Sequence, residues 1–365
     1  MPMKIVLLEL PLEGSKTARF IVAGEGPEIC YIVGPGSFYL KGLAHLCKQF
    51  TFVTCDGLWA HYKKDKVDED VIQSTTLDDL IVHDRLAIKA IKAHFKRSKI
   101  GLLGFSGPGA LALLHARDVP EDIAWVNCSG VALCPLDPSF SATDKVFKEK
   151  ASPERLADFE SRQKNYQKLT QGDEDAKPLA RSNFFTDPKT NKRRLSVNSD
   201  YLEQVRFLAP KLVYDPGYEY ACYIHWENNP LGQIVNQPLR VHFFMTMQAK
   251  LDAPALLKQL QAQGKVPILI INGKDDFITP MDAKIEAEVR GYKRVTVKTY
   301  DHCGHLPYLE AAEDYAKDFC AFVASLTPSY SIVERGSKKP GQSTAVAGNP
   351  YALQSSGQSF QRSKL

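Results

Sequence analysis

The sequence predicts an α/β fold with a mostly parallel central sheet, helices on both faces and an inserted helical segment. One observation is the alternation of apolar strand-like runs with helical periodicity around residues 77–134. Another is the return of this alternation over residues 267–326, after a long polar stretch that lacks it. Strand, helix and strand in succession imply right-handed crossovers, and hence parallel strands covered on both faces. A chain of 365 residues with 44% hydrophobic content can supply one large core.

The elements follow in a regular order outside the polar stretch. Turns with Gly or Pro separate four short runs of strand character, at residues 5–10, 18–22, 29–33 and 50–55. Helical spacing of apolar residues predicts a helix over 77–95, which precedes an apolar strand over 100–105. An Ala- and Leu-rich helix and a strand over 123–127 come next. The last predicted elements are a strand over 267–271, a helix over 280–289, a strand over 294–300 and a closing helix over 309–326.

This pattern divides the chain into three parts. Residues 1–134 and 245–327 form the α/β core, and residues 135–244, which are helical and polar with an aromatic-rich stretch, form an inserted cap. Residues 328–365 are rich in Ser, Gly, Gln and Pro and bury too little apolar area to fold alone. We therefore expect a disordered tail.

The charge distribution argues against a nucleic-acid partner. The net charge is +4, and the tail holds five basic residues but one acidic residue, Glu334. The remainder of the protein is therefore close to neutral.

The N-terminus lacks the apolar stretch of a signal peptide, and no apolar run is long enough for a transmembrane helix. The eight cysteines form no CxxC pair, which favours reduced thiols. No His or Cys spacing indicates a metal, and we expect no cofactor.

Ser106 occupies the position where the strand over 100–105 gives way to a helix, in the run Gly104-Phe105-Ser106-Gly107-Pro108. A nucleophilic serine needs this kind of tight turn between small neighbours, with helix N–H groups close to its oxygen. Pro108 stands where a second Gly is usual, and proline is tolerated in a first helical turn. A plain strand-to-helix turn is the alternative interpretation of this short run.

Two later motifs add an acid and a base in the chain order Ser, Asp, His. Asp276 follows a predicted strand in the run Gly273-Lys274-Asp275-Asp276, and His305 follows the last strand in Asp301-His302-Cys303-Gly304-His305. With these residues the chain resembles the α/β-hydrolase superfamily over residues from about 18 to 326. The resemblance implies that Ser106 is the nucleophile, His305 the general base and Asp276 the residue that orients it. Asp275 and Asp137 are the fallback acids, and His302 is expected to be a loop residue.

The same resemblance implies an oxyanion hole formed by the backbone N–H groups of Gly34 and Gly107. Gly34 lies in the run Gly34-Pro35-Gly36-Ser37, which resembles the family's loop after the corresponding strand. The family's usual histidine is replaced there by Ile32 or Val33, and residues 56–59 replace its usual Arg and Gly residues. The chain is thus identified as a divergent member.

Aromatic residues are the candidate substrate contacts. Phe105 precedes the nucleophile, and Tyr223 and Trp226 belong to the aromatic-rich stretch of the predicted cap. Such side chains can line an apolar acyl pocket, although they can equally form the core of the cap itself.

These observations predict a serine hydrolase that cleaves a small-molecule acyl ester or thioester. A proline-iminopeptidase-like amidase, with Glu219 or Glu227 binding a free amine, is one alternative. A non-catalytic binding protein on the same scaffold is another. The terminal run Ser363-Lys364-Leu365 matches a peroxisomal address, which implies an import receptor as partner and a peroxisomal location. A cytoplasmic location is the alternative.

Overall fold

A computed structural model of the protein defines its fold between residues 3 and 326. The described residues are 3–12, 17–55, 60–62, 74–134, 141–179, 182, 184–186, 191, 193–195, 197–218, 233–235, 239 and 242–326. The predicted tail, and with it Ser363, Lys364 and Leu365, lies outside these residues. Asp137, Glu219, Tyr223, Trp226 and Glu227 lie outside them as well.

An eight-stranded sheet forms the centre of the fold. Its strands are β1 (Ile5–Pro11), β2 (Thr17–Ala23), β3 (Glu28–Ile32), β4 (Phe50–Cys55), β5 (Ile100–Phe105), β6 (Ile123–Ser129), β7 (Ile268–Gly273) and β8 (Val295–Tyr300). They lie in the order β1-β2-β4-β3-β5-β6-β7-β8. The six strands from β4 to β8 in this order are parallel, and β1 and β2 pair antiparallel at one edge. The prediction of a mostly parallel sheet is confirmed.

Nine α-helices occur in the described residues. They are α1 (Leu77–Phe95), α2 (Gly107–Asp118), α3 (Ser141–Lys150), α4 (Pro153–Gln171), α5 (Val197–Leu212), α6 (Ala253–Gln263), α7 (Ala283–Arg290), α8 (Pro307–Glu310) and α9 (Ala312–Leu326). Helix α1 begins where the sequence predicts, because Thr76 and Asp79 form a reciprocal capping box. Within the described ranges, no helix has the length and apolar character needed to cross a bilayer.

The closing helix differs from the prediction. The sequence pattern predicts one helix over 309–326, whereas the structure has the short helix α8 followed by α9. The break lies at Ala311, whose φ of −126° and ψ of 44° are not helical. Both sides of the break keep apolar residues toward the core, since Tyr308 and Tyr315 are buried. Apolar periodicity therefore continues across a backbone break that it does not reveal.

Alternate residues of the strands face two separate cores, one on each side of the sheet. Leu102, Val126 and Ile270 pack in the core that includes α1, α2 and α6. Leu103, Trp125 and their neighbours pack on the other face with α9. Both faces of the parallel strands are thus covered, which explains their continuous apolar character.

Helices α3, α4 and α5 lie between β6 and β7 in the chain, within the predicted cap. Phe147 of α3 and Phe159 of α4 pack on Phe277, which belongs to the loop after β7. The buried Lys211 of α5 lies over the Phe159 ring and pairs with Asp144. Aromatic packing therefore joins these helices to a core loop, while the boundaries at residues 135 and 244 stay a prediction.

A buried polar cluster links β3, α1 and α2. The Tyr31 hydroxyl donates to Asp84 Oδ1 at 2.8 Å, and His115 Nε2 lies 3.3 Å from Asp84 Oδ2. All three side chains are at most 1% exposed. Asp84 thus supplies the partner atoms that two other buried polar groups need.

We expect Asp84→Ala to lower the free energy of unfolding by about 2–4 kcal/mol, because it leaves Tyr31 and His115 buried without this partner. Urea denaturation measures the loss. Asp78→Ala on the exposed face of the same helix is the matched control, with an expected change below about 1 kcal/mol. Equal losses in the two variants would contradict the role assigned to Asp84.

Candidate functional site

Ser106 occupies a strained turn between β5 and α2. Its φ of 57° lies in a region that non-glycine residues rarely adopt. Hydrogen bonds hold the turn on both sides, since Ser106 N–H donates to Ser129 O at 2.8 Å and Gly109 N–H donates to Ser106 O at 2.8 Å. The strained backbone keeps the partly exposed side chain at the end of the strand.

Small residues allow α2 to pack closely on β5. A Cβ atom at Gly104 would lie 2.6 Å from Gly109 Cα and 2.6 Å from Pro108 O. Pro108 falls in the first turn of α2, where its missing N–H has no intrahelical role. Gly109 therefore provides the close approach at this turn, although Pro108 occupies the position where the family's second Gly is usual.

Gly34 lies beside the Ser106 turn. It adopts a φ of 83°, and a Cβ atom there would lie 2.7 Å from Pro108 Cγ. Glycine is required on both grounds. Within the described chain, no backbone carbonyl accepts the N–H of Gly34 or of Gly107. Both N–H groups next to the serine therefore remain available as donors.

Asp276 is 2% exposed and fully engaged by donors. Its Oδ1 accepts the N–H groups of Ile278 at 2.8 Å and Thr279 at 2.9 Å. Its Oδ2 accepts the Thr279 hydroxyl and His305 Nδ1–H, each at 2.7 Å. Burial raises the pKa of this carboxyl, but the charge of His305 and these hydrogen bonds outweigh burial, so the pKa is lowered. Asp276 is therefore an ionised acceptor at neutral pH.

The His305 imidazole is fixed by its surroundings. Besides Asp276, its Nδ1 has the Thr279 hydroxyl at 3.2 Å. A Cβ atom at Gly130 would lie 3.1 Å from both Nδ1 and Cε1 of the ring, so a side chain there would press on the imidazole. Binding of Nδ1–H by a carboxylate leaves Nε2 as the basic atom.

Both Ser106 and His305 lie near the Ser129–Gly130 step. Ser129 O holds the backbone of Ser106, while Gly130 contacts the imidazole of His305. In the described residues, the hydrogen bonds of His305 do not include one with Ser106. Hydrogen bonds between a nucleophile and its base commonly tighten only when substrate binds. The structure therefore brings the acid, the base and the serine turn into one region.

The carboxyl end of α5 contacts both loops that carry the acid and the base. The last carbonyls of a helix lack intrahelical partners. Here Lys211 O accepts the N–H of Phe277, next to Asp276, and Leu212 O accepts the N–H of His305 at 2.6 Å. The two loops therefore cap this helix with their own backbone donors.

Arg155 of α4 completes this junction. Its guanidinium donates to Pro210 O and, at 2.7 Å, to Val213 O, and its Cζ lies 4.8 Å from the Phe277 ring centroid. A planar guanidinium suits this combination of two donors and an aromatic face. Helices α4 and α5 are thereby tied to the loop that carries Asp276.

Glu310 ties the His305 loop to the chain after α5. Its carboxylate accepts Gly304 N–H at 3.0 Å and Tyr214 N–H at 2.6 Å. Burial raises the pKa of this carboxyl to about 7, although the backbone N–H groups favour its ionised form.

A cavity of about 150 Å³ opens at Ser106. Polar and apolar atoms contribute similar parts of its wall, and the lining residues are Ser106, Gly107, Ala110, Val131, Ala132, Cys134, Gln248, Leu251, Asp252 and Ala253. Burial raises the pKa of the Cys134 thiol to about 11, with the charges of Asp276 and Asp282 as smaller causes. In the residues described, no group of His, Cys, Asp or Glu side chains could hold a metal ion.

Several candidates from the sequence take other places. Phe105 is 3% exposed and stacks on Tyr39 at 4.1 Å between ring centroids, so the structure assigns it to the core rather than to the cavity wall. Its ring also packs on Tyr308. Asp275 donates its N–H to Cys303 O, but Asp276 makes the bond to His305. The substrate contacts predicted for Tyr223 and Trp226 fall outside the described residues.

Sequence reasoning did not select Thr279, Glu310 or Gln248. Thr279 follows Asp276 by three residues, a spacing at which a hydroxyl and a backbone N–H can both reach an Asp side chain. Glu310 follows the His305 motif closely, but its contact with Tyr214 joins residues 96 positions apart. Gln248 has no motif around it that singles it out.

Titration of Glu310 predicts a pH dependence of stability. The pKa of Glu310 is about 7 in the folded protein and ordinarily 4.5. Between pH 4.5 and 7 the folded protein therefore binds more protons than the unfolded chain. This contribution to stability is complete below about pH 4.5 and is lost as the pH rises through 7. Glu310→Gln cannot titrate. We therefore expect it to gain about 1–3 kcal/mol relative to wild type between pH 4.5 and 7.5.

Chemical denaturation across this pH range measures the difference. The exposed Glu313 at the start of α9 provides the control Glu313→Gln, for which the difference from wild type should stay nearly constant. A pH-independent difference for Glu310→Gln would show that its carboxyl does not titrate in this range.

Solved structures with the same fold come from several organisms. A proline iminopeptidase-related protein from Thermus thermophilus is 16% identical, with a TM-score of 0.54, covering 90% of this chain and 100% of that chain. An alpha/beta fold family hydrolase from Bacillus anthracis str. Sterne is 13% identical, with a TM-score of 0.55 and coverage of 89% and 100%. A thermophilic esterase from Thermogutta terrifontis is 15% identical, with a TM-score of 0.53 and coverage of 88% and 99%. At these identities the likeness establishes the fold alone.

A comparison with curated proteins finds no match. A family model, in contrast, matches most of this sequence. Residues 78–312 match the family described as alpha/beta hydrolase fold, and this range extends from α1 to the start of α9. It contains the Ser106 turn and the loops of Asp276 and His305. The chain therefore belongs to the alpha/beta hydrolase family.

Proposed function

We propose that the protein is a serine hydrolase that cleaves an acyl ester or thioester through an acyl-enzyme intermediate. The observation that carries this proposal is the buried 2.7 Å hydrogen bond between Asp276 and His305 Nδ1, placed beside the strained Ser106 turn. A carboxylate, an imidazole and a serine in this relation are the groups that nucleophilic acyl transfer requires.

Attack by Ser106 begins the proposed reaction. A serine hydroxyl is a weak nucleophile at neutral pH, so His305 Nε2 accepts its proton as Oγ bonds to the substrate carbonyl carbon. Asp276 holds the imidazole in the tautomer that leaves Nε2 free, and it stabilises the imidazolium that forms. Its depressed pKa keeps it ionised throughout the step.

The carbonyl oxygen becomes an oxyanion during the attack. The N–H groups of Gly34 and Gly107, which no described backbone carbonyl accepts, bind this oxyanion. His305 then returns its proton to the leaving alkoxide or thiolate, and the acyl group stays on Ser106. Water, activated by the same imidazole, releases the acid and restores the serine.

The cavity supports a small acyl group as the part bound next to Ser106. Its volume of about 150 Å³ is comparable to that of an engineered cavity in another protein that binds benzene, so it accommodates roughly six non-hydrogen atoms. Its wall combines apolar side chains such as Val131 and Leu251 with polar ones, which suits a short acyl group. The leaving group then lies outside this cavity.

Replacement of the nucleophile tests the reaction. We expect Ser106→Ala to lower kcat on short-chain p-nitrophenyl esters by at least about 10⁴-fold and to abolish labelling by a fluorophosphonate. The exposed Ser325 of α9 provides the matched control, since Ser325→Ala should leave both readouts unchanged. Undiminished turnover in Ser106→Ala, or absence of labelling in the folded wild type, would favour a non-catalytic binding protein.

The orienting residue gives a separate expectation. Asp276→Asn keeps the size of the side chain but removes the charge that fixes His305, so kcat should fall by about 10³- to 10⁴-fold. The corresponding change at the neighbour, Asp275→Asn, should cost less than about tenfold, because Asp275 does not bond to His305. If Asp275→Asn proved the more damaging, the assignment of the acid would be wrong.

We also propose that the terminal Ser363-Lys364-Leu365 directs the protein to peroxisomes through the import receptor. The proposal rests on the match to the receptor-read tripeptide and on the Ser-, Gly-, Gln- and Pro-rich composition of residues 328–365. A fluorescent protein carrying residues 328–365 should collect in peroxisomes of a eukaryotic cell, whereas the same fusion without the last three residues should stay diffuse. Identical distributions of the two fusions would contradict the address.

A further inference from the structure

The side-chain amide of Gln248 lines the Ser106 cavity. Gln248 follows the π-helical turn at residues 243–247 and is 7% exposed. A Cβ atom at Gly107 would lie 3.3 Å from Gln248 Oε1 and 3.4 Å from its Cδ. The amide is therefore placed against the residue that directly follows the nucleophile.

This amide has no structural task among the described residues. Its Oε1 is buried and has no hydrogen-bond partner, an arrangement that folded proteins normally avoid. The backbone at Gln248 is held independently, since its N–H donates to Phe243 O and its carbonyl accepts Leu251 N–H. Phe243 itself is fully buried against Gly107. The fold therefore fixes the position of the amide without using its polar atoms.

The other polar groups of the cavity are already assigned. Ser106 is the proposed nucleophile, and the Asp252 carboxylate caps α6 by accepting Ala255 N–H at 3.0 Å. The raised pKa of Cys134 keeps its thiol protonated, and a thiol is a weak hydrogen-bond group. Among the described side chains that line the cavity, Gln248 is the one with a buried polar oxygen that has no hydrogen-bond partner.

We propose that Gln248 selects acyl groups that carry a hydrogen-bonding oxygen close to the scissile carbonyl. This proposal rests on the proposed function and names the substrate class. The unpartnered Oε1 is an acceptor, so a substrate hydroxyl satisfies it directly by donating, whereas an oxo group can only accept from the side-chain NH2 group. An unsubstituted alkyl chain leaves the amide buried and unpaired. Because the amide lies against Gly107, the oxygen belongs on an atom two or three bonds from the scissile carbon.

Three esters of equal length test the proposal: p-nitrophenyl butyrate, 3-hydroxybutyrate and 3-oxobutyrate. We expect wild type to prefer at least one oxygenated ester over butyrate by about 10- to 100-fold in kcat/KM. Gln248→Met, which is similar in size but lacks the amide, should reduce this preference to about threefold or less. The two oxygenated esters distinguish a hydroxyl from an oxo group.

The exposed Gln263 of α6 allows the matched control Gln263→Met, which should keep the full preference. Gln248→Leu is the second variant, and a thermal melt of each variant verifies folding. A folded Gln248→Met that retains the preference would overturn the proposal. So would a wild type that hydrolyses all three esters equally well.

A binding measurement separates this proposal from the proposed function. Calorimetry with the uncleavable 3-hydroxybutyramide, 3-oxobutyramide and butyramide requires no reaction at Ser106. Tighter binding of an oxygenated amide to wild type, lost in Gln248→Met, supports the role of Gln248 even if no ester is cleaved. Equal binding of all three amides would contradict it, while fluorophosphonate labelling reports on Ser106 separately.

Discussion

The hydrogen bond between Asp276 and His305 depends on a carboxylate that remains ionised although it is almost completely buried. Burial alone would raise its pKa and neutralise it. The N–H groups of Ile278 and Thr279, together with the Thr279 hydroxyl, supply the donors that replace water. The loop after β7 therefore serves mainly to solvate one charge. A neutral residue at position 276 would remove the fixed charge toward which the imidazole is oriented.

The loops of Asp276 and His305 are positioned by helices α4 and α5 as well as by the sheet. Lys211 O and Leu212 O, at the end of α5, accept an N–H from each loop, so the helix end and the loops satisfy each other. Arg155 and Glu310 strengthen the same junction from either side. Any movement of these helices would therefore act directly on the geometry of the base. Helices α4 and α5 therefore have a structural role that does not depend on contacts with substrate.

The sequence predicts structural elements and motifs well where they depend on residues close together in the chain. Parallel strands buried on both faces appear as apolar runs, and the turn at Ser106 is visible from its small neighbours. The predicted bounds of β4, α1 and β5 coincide with the structure. Spacing alone cannot reveal the break at Ala311, because apolar periodicity continues across it. The roles of Phe105, Glu310 and Gln248 depend on contacts with residues far away in the chain. No local sequence pattern indicates these contacts.

The proposed reaction requires that Ser106, His305, Gly34 and Gly107 converge on one reacting carbonyl. A crystal structure of the protein after reaction with a fluorophosphonate tests this most directly, because the phosphonyl group imitates the tetrahedral intermediate. We expect phosphorus bonded to Ser106 Oγ, with its oxygen about 2.7–3.1 Å from the N–H groups of Gly34 and Gly107. His305 Nε2 should face the adduct while Nδ1 still bonds to Asp276. An adduct on another residue, or a phosphonyl oxygen directed to solvent away from both glycines, would contradict it.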